Sequence, residues 1–185
     1  MARAGLAPEA VVSAAAAIAD AEGLDAVTLA RLAKALNVRT PSLYSHVGGL
    51  DDVRRRLAAR GARELADALQ EAAAGRAGRD ALHAVAVAYR AYARAHPGRY
   101  HALQRAGDVA GEPAAQRTVR VLGAVLAGYG ISGDDAIHAT RAVRAALHGF
   151  AALEAQGGFG MPQSVEESFE RLVDVLDRGL GGHAG

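Results

Sequence analysis

The chain of 185 residues contains no cysteine and no tryptophan, and aromatic residues make up only 4% of it. The absence of cysteine excludes disulfides and thiolate metal ligands, and it fits a reducing, cytoplasmic location. Acidic and basic residues nearly balance, at a formal net charge of +1. Binding to nucleic acid would therefore need a local basic surface. The longest uncharged runs, such as 121–133, are too short and too rich in glycine to span a membrane.

Strand patterns are also lacking, because Val, Ile and Thr do not alternate with polar residues over any clear run. Alanine, which has the highest helix propensity, dominates the composition. Hydrophobic residues make up 51% of the chain, so it can bury a sizeable core. The sequence therefore predicts an all-α protein of about nine helices.

Capping signals divide the chain into these helices. Pro8 suits the first turn of a helix and Gly23 its C-terminal end. Thr28, Thr40 and Ser164 each suit a helix N-cap. Together with apolar residues at helical spacing, these signals predict helices over about 8–22, 28–36, 40–47, 50–74, 80–95, 99–106, 113–129, 134–156 and from Ser164 onward.

The stretch LAKALNVRTPSLYSHV, at 32–47, reads as two short helices joined by a tight turn. Asn37 tolerates the left-handed backbone that such a turn needs. In the second helix only Leu43 and Val47 are aliphatic, and they lie four residues apart on one face. A helix that enters the DNA major groove needs a polar outer face of this kind. The alternative is that Thr40 and Pro41 simply start a helix whose serines face water.

The surrounding stretch TLARLAKALNVRTPSLYSHVGGLDDV resembles the DNA-binding segment of the TetR family of bacterial repressors. That family shows the pattern T-x-x-x-[LI]-A-x-x-x-[GN]-V-x-x-x-x-[LF]-Y-x-[HY]-[FV]. The matching positions here are Thr28, Leu32, Ala33, Asn37, Val38, Leu43, Tyr44, His46 and Val47. The resemblance implies a helix-turn-helix DNA-binding domain at 1–50 and a helical effector-binding and dimerisation domain at 51–185.

The resemblance also implies roles for individual residues at DNA. Thr28 would bond a phosphate, and a further set would meet base edges: Arg39, Thr40, Pro41 and Ser42. The phosphate backbone would be contacted by Tyr44, Ser45 and His46. From the sequence alone Arg39 is equally a solvated residue, and Tyr44 can be a packed aromatic. One departure is Leu50, which stands where the family usually has a lysine that contacts phosphate.

The C-terminal part resembles the family in a second place. RAALHGF, at 144–150, is similar to the R-x-x-x-W-H-G element of one TetR C-terminal subclass, with Leu147 in place of Trp. Small residues also form a stripe along the helix at 134–156, which permits close approach of another helix. We expect a homodimer through the last two helices, although so alanine-rich a chain can produce such a stripe by chance.

Aromatic and titratable residues mark a possible effector site. Tyr89, Tyr92 and His96 fall on one helical face and form the expected wall. The full set of candidates is Tyr89, Tyr92, His96, Tyr100, Leu103, Tyr129, Arg144, His148 and Phe150. Such a lining suits a modest apolar or aromatic small molecule. The alternatives are an ordinary core face for the tyrosines and a buried structural role for His148.

These features predict a ligand-responsive transcriptional regulator. Its simplest form is a repressor that binds a palindromic DNA operator as a homodimer and leaves it when a small effector binds. No H-E-x-x-H, G-x-S-x-G or Walker pattern occurs, so we expect no catalytic residue, metal or cofactor. The competing hypothesis is a helical adaptor or small-molecule-binding protein without specific DNA binding.

Overall fold

The computed structural model describes residues 7–106 and 113–182, and within these ranges it contains helices and no strand. The α-helices are α1 Pro8–Glu22, α2 Leu29–Ala35, α3 Thr40–Leu43, α4 Leu50–Ala73, α5 Gly78–Ala95, α6 Pro97–Arg105, α7 Pro113–Ala127, α8 Gly133–Ala155 and α9 Val165–Gly181. A 3₁₀ turn at Leu24–Ala26 follows α1. The predicted all-α fold of about nine helices is confirmed in the described part of the chain.

Capping side chains start two of these helices as predicted. The Thr28 hydroxyl oxygen accepts a hydrogen bond from the Arg31 N–H at 3.2 Å, at the start of α2. The Ser164 hydroxyl oxygen accepts from the Glu167 N–H at 3.2 Å, at the start of α9. Each bond satisfies a backbone donor that a helix N-terminus otherwise leaves without a partner.

The predicted third helix differs from the observed one at both ends. Arg39 occupies the N-cap position and Thr40 is already helical, so Thr40 is not the cap. The helix ends at Leu43 rather than near Val47. Beyond it the chain turns, and the Leu43 carbonyl accepts from the N–H groups of His46 and Val47 at 2.9 and 3.0 Å. The glycines at 48–49 then prevent the helical turn from continuing.

The chain forms two compact units, of which the first comprises 7–64 and 95–106 in the described ranges. Its core consists of buried aliphatic residues from α1, the 3₁₀ turn, α2, α3, α4 and α6: Val11, Ile18, Leu24, Val27, Leu32, Leu43, Val47, Val53, Leu57 and Ala102. Helix α6 packs against α1, where the Asp20 carboxylate accepts from the backbone N–H and the Nε of Arg99, at 3.0 and 2.8 Å. Thus α6 belongs structurally with the N-terminal helices.

The second unit comprises 65–94 and 113–182 in the described ranges. Its helices α7, α8 and α9 pack in succession, and its largest buried residues are Leu69, Leu82, Val85, Leu126, Val143 and Phe169. Helix α4 supplies residues to both units, since the division falls between Glu64 and Leu65. A functional boundary at residue 50 stays a prediction, because compactness alone does not assign function.

A buried arginine joins three helices of the second unit. Arg90 of α5 donates to both carboxylate oxygens of Glu154 in α8, at 2.8 and 2.7 Å, and to Glu166 in α9 at 2.8 Å. Its guanidinium carbon lies 5.4 and 4.6 Å from the ring centres of Phe150 and Phe169. The hydrogen bond to Glu154 is the main reason that the pKa of Arg90 is raised, so this residue is cationic at every relevant pH.

Candidate nucleic-acid interface

The turn between α2 and α3 has the conformation that its sequence predicts. Asn37 adopts a φ of 53°, in the left-handed region that asparagine tolerates better than most residues. The Val38 N–H donates to the Ala33 carbonyl at 2.9 Å, which closes the end of α2. Val38 also packs against the core of the first unit. The turn is therefore fixed by both backbone bonding and apolar contact.

The segment at 39–47 separates an apolar side from a polar one. Leu43 is 0% exposed and Val47 3% exposed, and both belong to the core of the first unit. The predicted DNA-contacting residues lie on the surface. Thr40 and His46 are half-buried, and the others are exposed: Thr28, Arg39, Pro41, Ser42, Tyr44 and Ser45. Tyr44 is 61% exposed, which argues against the alternative that its ring packs in the core. Apart from Thr28, these exposed groups thus lie on one short stretch of chain.

The turn from α3 into α4 is held by a side chain that the sequence analysis did not single out. The Asp52 carboxylate accepts from the Gly48 backbone N–H at 3.0 Å and from Arg56 Nε at 2.9 Å, and it also bonds Arg55. Asp52 is 7% exposed. These bonds lower its pKa, the Gly48 bond most strongly, against the opposing effect of burial. Asp52 is therefore ionised at neutral pH.

Leu50 supplies no cation where the family usually has lysine, and it packs against the core of the first unit. Positive charge nearby comes from the arginines at 54–56. Arg54 has its Nε buried without a hydrogen-bond partner in the described part of the chain, and its Nη1 lies 3.9 Å from Asp51. The basic groups at the start of α4 are thus accompanied by acidic ones.

The candidate effector residues are divided between the two units. The second unit contains Tyr89, Tyr92, Tyr129, Arg144, His148 and Phe150, whereas the first contains His96, Tyr100 and Leu103. Tyr89 and Tyr92 are buried on α5, as Tyr100 is on α6. Leu103 is half-buried. His96 Nδ1 lies 2.7 Å from Nη2 of Arg99, within hydrogen-bonding distance.

The effector candidates on α8 and in the turn before it have different surroundings from one another. The Tyr129 hydroxyl donates to Asp177 at 2.6 Å, and burial together with this bond raises the pKa of Tyr129. Phe150 packs against the rings of Phe159 and Phe169, at centre distances of 4.7 and 5.2 Å. His148 is half-buried, while Arg144 is exposed. Within the second unit these candidates therefore have different partners, and the effector site stays a prediction.

An open groove of about 340 Å³ lies between α8 and α9. Its lining is mainly apolar or small: Ile131, Asp135, His138, Ala139, Ala142, Val143, Val175, Leu176, Gly179 and Leu180. Val175 is 57% exposed there. Ile137 and Leu153 of α8 are also about half exposed, at 51% and 49%. These helices therefore present apolar surface that the second unit itself does not cover.

Among residues 7–106 and 113–182, no helix is both long and apolar enough to cross a membrane. Within the same ranges no cluster of three or more His, Cys, Asp or Glu side chains has an arrangement able to hold a metal ion.

Comparison with known proteins identifies the family. Residues 82–176 match a family described as "Tetracyclin repressor-like, C-terminal domain". The chain is 38% identical over 180 residues to YobS of Bacillus subtilis, an uncharacterized HTH-type transcriptional regulator, with 96% of this chain and 94% of that protein covered.

Solved structures agree with the sequence relatives. A protein of unknown function from Rhodococcus sp. has a TM-score of 0.79 and 25% identity, with 97% of both chains covered. BioQ bound to its double-stranded DNA operator has a TM-score of 0.71 and 26% identity, covering 95% of this chain and 98% of that one. The protein therefore belongs to the TetR family of helix-turn-helix DNA-binding transcriptional regulators, and it is a regulator rather than an enzyme.

Proposed function

We propose that this regulator is a repressor, that it binds a palindromic operator as a homodimer, and that a small apolar or aromatic effector releases it. The observation that carries the proposal is the two-sided segment at 39–47. Its aliphatic residues Leu43 and Val47 are buried, and its polar residues are exposed. A buried anchor fixes the segment in place, and exposed hydrogen-bonding side chains can then meet base edges in the major groove.

Several side chains have chemistry that suits their proposed roles. Arg39 is exposed beside α3 and can bond O6 and N7 of guanine together, a contact worth about 1–3 kcal/mol of base discrimination. The Thr28 oxygen accepts from Arg31, but its hydroxyl hydrogen can still be donated to a phosphate oxygen. Tyr44, Ser45 and His46 would bond the phosphate backbone and set the register of the dimer on the duplex.

The groove between α8 and α9 supports the proposed homodimer through the last two helices. Ala139, Ala142 and Gly179 allow close helix approach, while Val175 and Leu176 supply apolar surface to bury. A two-fold axis would place the same groove of the partner against it, so that one self-complementary surface forms the whole interface. Two recognition segments would then meet half-sites about one DNA turn apart.

Two further observations support parts of the proposal. BioQ, which is 26% identical to this chain, binds a double-stranded DNA operator. Buried tyrosines on α5 provide apolar rings with hydroxyl groups, which suits a small aromatic ligand.

Release from DNA would be a shift between two dimer conformations. We propose α4 as the connecting element, because it supplies residues to both units. A shift from 1:99 to 99:1 needs about 5.5 kcal/mol of differential effector binding.

The DNA-binding part is tested by selecting a duplex from a random-sequence library with the unaltered protein and measuring affinity by fluorescence anisotropy. We expect Arg39→Ala and Tyr44→Ala each to weaken binding to the selected duplex by about tenfold or more. Arg171→Ala is the matched control, because it removes an equally positive, exposed side chain from α9. Unchanged affinity in both Arg39→Ala and Tyr44→Ala would refute these site assignments. Failure to select any duplex would favour the adaptor hypothesis.

A further inference from the structure

The chain has two buried charged residues in the described ranges, Arg90 and Asp52, and only Asp52 lies beside the proposed recognition segment. It is in the first turn of α4, four residues after Gly48 and five after the buried anchor residue Val47. A carboxylate near the proposed DNA-contacting segment would repel phosphate and cost binding energy. Its bonds indicate a structural role that can offset this cost.

The Asp52 carboxylate connects the turn after α3 to α4. One oxygen accepts from the Gly48 N–H at 3.0 Å and from Arg56 Nε at 2.9 Å, and the other bonds Arg55. The geometry resembles the reciprocal half of a capping box, in which an acid near the third helical position reaches back to a backbone donor before the helix. Gly48 follows Val47 directly, so this bond constrains the end of the segment that carries Tyr44, Ser45 and His46.

We propose that Asp52 is a positioning residue for DNA recognition, which holds the turn after α3 through the Gly48 N–H so that Tyr44 and His46 reach the phosphate backbone. The inference rests on the proposed DNA-contacting role of those two residues. Arg55 and Arg56 offset the negative charge of Asp52, which reduces its repulsion of the duplex.

Removal of this carboxylate distinguishes a positioning role from a simple effect of its negative charge on DNA affinity. Asp52→Ala deletes a negative charge near DNA, so charge alone predicts tighter binding, whereas loss of positioning predicts weaker binding. Asp51→Ala is the matched control, since it removes the same charge from the neighbouring side chain, which is 98% exposed. Asp52→Asn retains an oxygen that can accept from Gly48 and tests for rescue.

The probes are the duplex selected by the unaltered protein and a scrambled duplex of equal composition, both measured by fluorescence anisotropy at one salt concentration. We expect Asp52→Ala to weaken binding to the selected duplex by about tenfold or more, with little change on the scrambled duplex. Asp52→Asn should recover most of the loss, and Asp51→Ala should bind as tightly as the unaltered protein or more so. Equal or tighter binding by Asp52→Ala, or equally poor binding by Asp52→Asn, would overturn the proposal.

Hydrogen exchange of the Gly48 amide gives a test that does not require the variants to fold. In the unaltered protein, labelled with ¹⁵N-glycine, this amide should exchange more slowly than an unprotected glycine amide, and exchange at the unprotected rate would overturn the proposal. Arg39→Ala and Tyr44→Ala separate the two levels of inference. If they abolish binding while Asp52→Ala does not, positioning by Asp52 fails and the proposed function stands. If no duplex is selected, both fail.

Discussion

Gly98 of α6 meets Ala19 of α1 at a distance that leaves no room for a side chain: a Cβ atom on Gly98 would lie 2.1 Å from the Ala19 carbonyl carbon. The obstacle is backbone, which cannot rotate away as a side-chain tip can. Next to this contact, Asp20 of α1 bonds Arg99 of α6. The α1–α6 packing of the first unit therefore depends on glycine at this position.

Gly98→Ala should lower the free energy of unfolding by about 2 kcal/mol or more, because the two helices must move apart to admit the methyl group. Gly123→Ala is the control, since a Cβ atom on that α7 glycine meets nothing within 4 Å. Alanine in an unobstructed helical position should instead stabilise the protein by about 0.5–1 kcal/mol. Urea denaturation measures both, and similar effects of the two substitutions would contradict the observed close approach.

Arg90→Met should lower the free energy of unfolding by about 3–5 kcal/mol, because it leaves Glu154 without its bidentate partner in a largely buried place. Adding Glu154→Gln should recover part of the loss, since the remaining side chain then carries no charge. Arg171→Met is the control: it breaks an ion pair whose two side chains are 76% and 62% exposed, and should cost less than about 1 kcal/mol. Equal costs in urea denaturation would mean that Arg90 has no special structural role.

Val175→Asp should convert the proposed dimer to monomer at micromolar protein concentration, because it places a charge in the groove between α8 and α9. Val87→Asp on α5 makes the same chemical change at a side chain that is 42% exposed but does not line the groove. It should leave the dimer intact. Sedimentation velocity distinguishes the two states, and a dimer that survives Val175→Asp would place the interface elsewhere.

His148 should make the protein less stable as the pH falls below neutrality. Burial, aided by the charge of Arg144, lowers its pKa below the usual 6.5. The folded state thus favours the neutral ring, and this contribution is present above the unfolded-state pKa and lost as pH falls through the folded-state pKa. Between pH 7 and 5.5, His148→Gln should lose less thermal stability than the unaltered protein. His101→Gln, on an exposed α6 residue outside the groove between α8 and α9, should behave like the unaltered protein, and identical pH profiles for all three would remove His148 as the cause.

Local signals in the sequence predicted most of the helices. Pro8 and Gly23 bound α1, and Thr28 and Ser164 cap α2 and α9, because each acts on backbone groups within a few residues. Asn37 likewise predicted a left-handed backbone conformation in the turn after α2, and the structure has it. The predicted end of α3, near Val47, was wrong. The turn after Leu43 is held partly by the Asp52 bond to Gly48 as well as by local propensity.

Long-range contacts were not predictable from the sequence alone. Arg90 falls on the apolar stripe of α5, which marks it as unusual, but its partner Glu154 lies 64 residues away. Gly98 lies between two of the predicted helices, and nothing local in the sequence indicates its contact with Ala19, which is far away in the chain. Asp52 carried a weak signal, an acid three residues after Gly49 at the start of a helix, which fits a capping box.

Hydroxyl-radical footprinting of the full chain on its selected duplex tests the central claim most directly. The account predicts two symmetric protected regions, centred about one DNA turn apart, that both disappear with Tyr44→Ala. A single unsymmetrical region, or protection that survives Tyr44→Ala together with Arg39→Ala, would show that the exposed segment at 39–47 is not what the protein places on DNA.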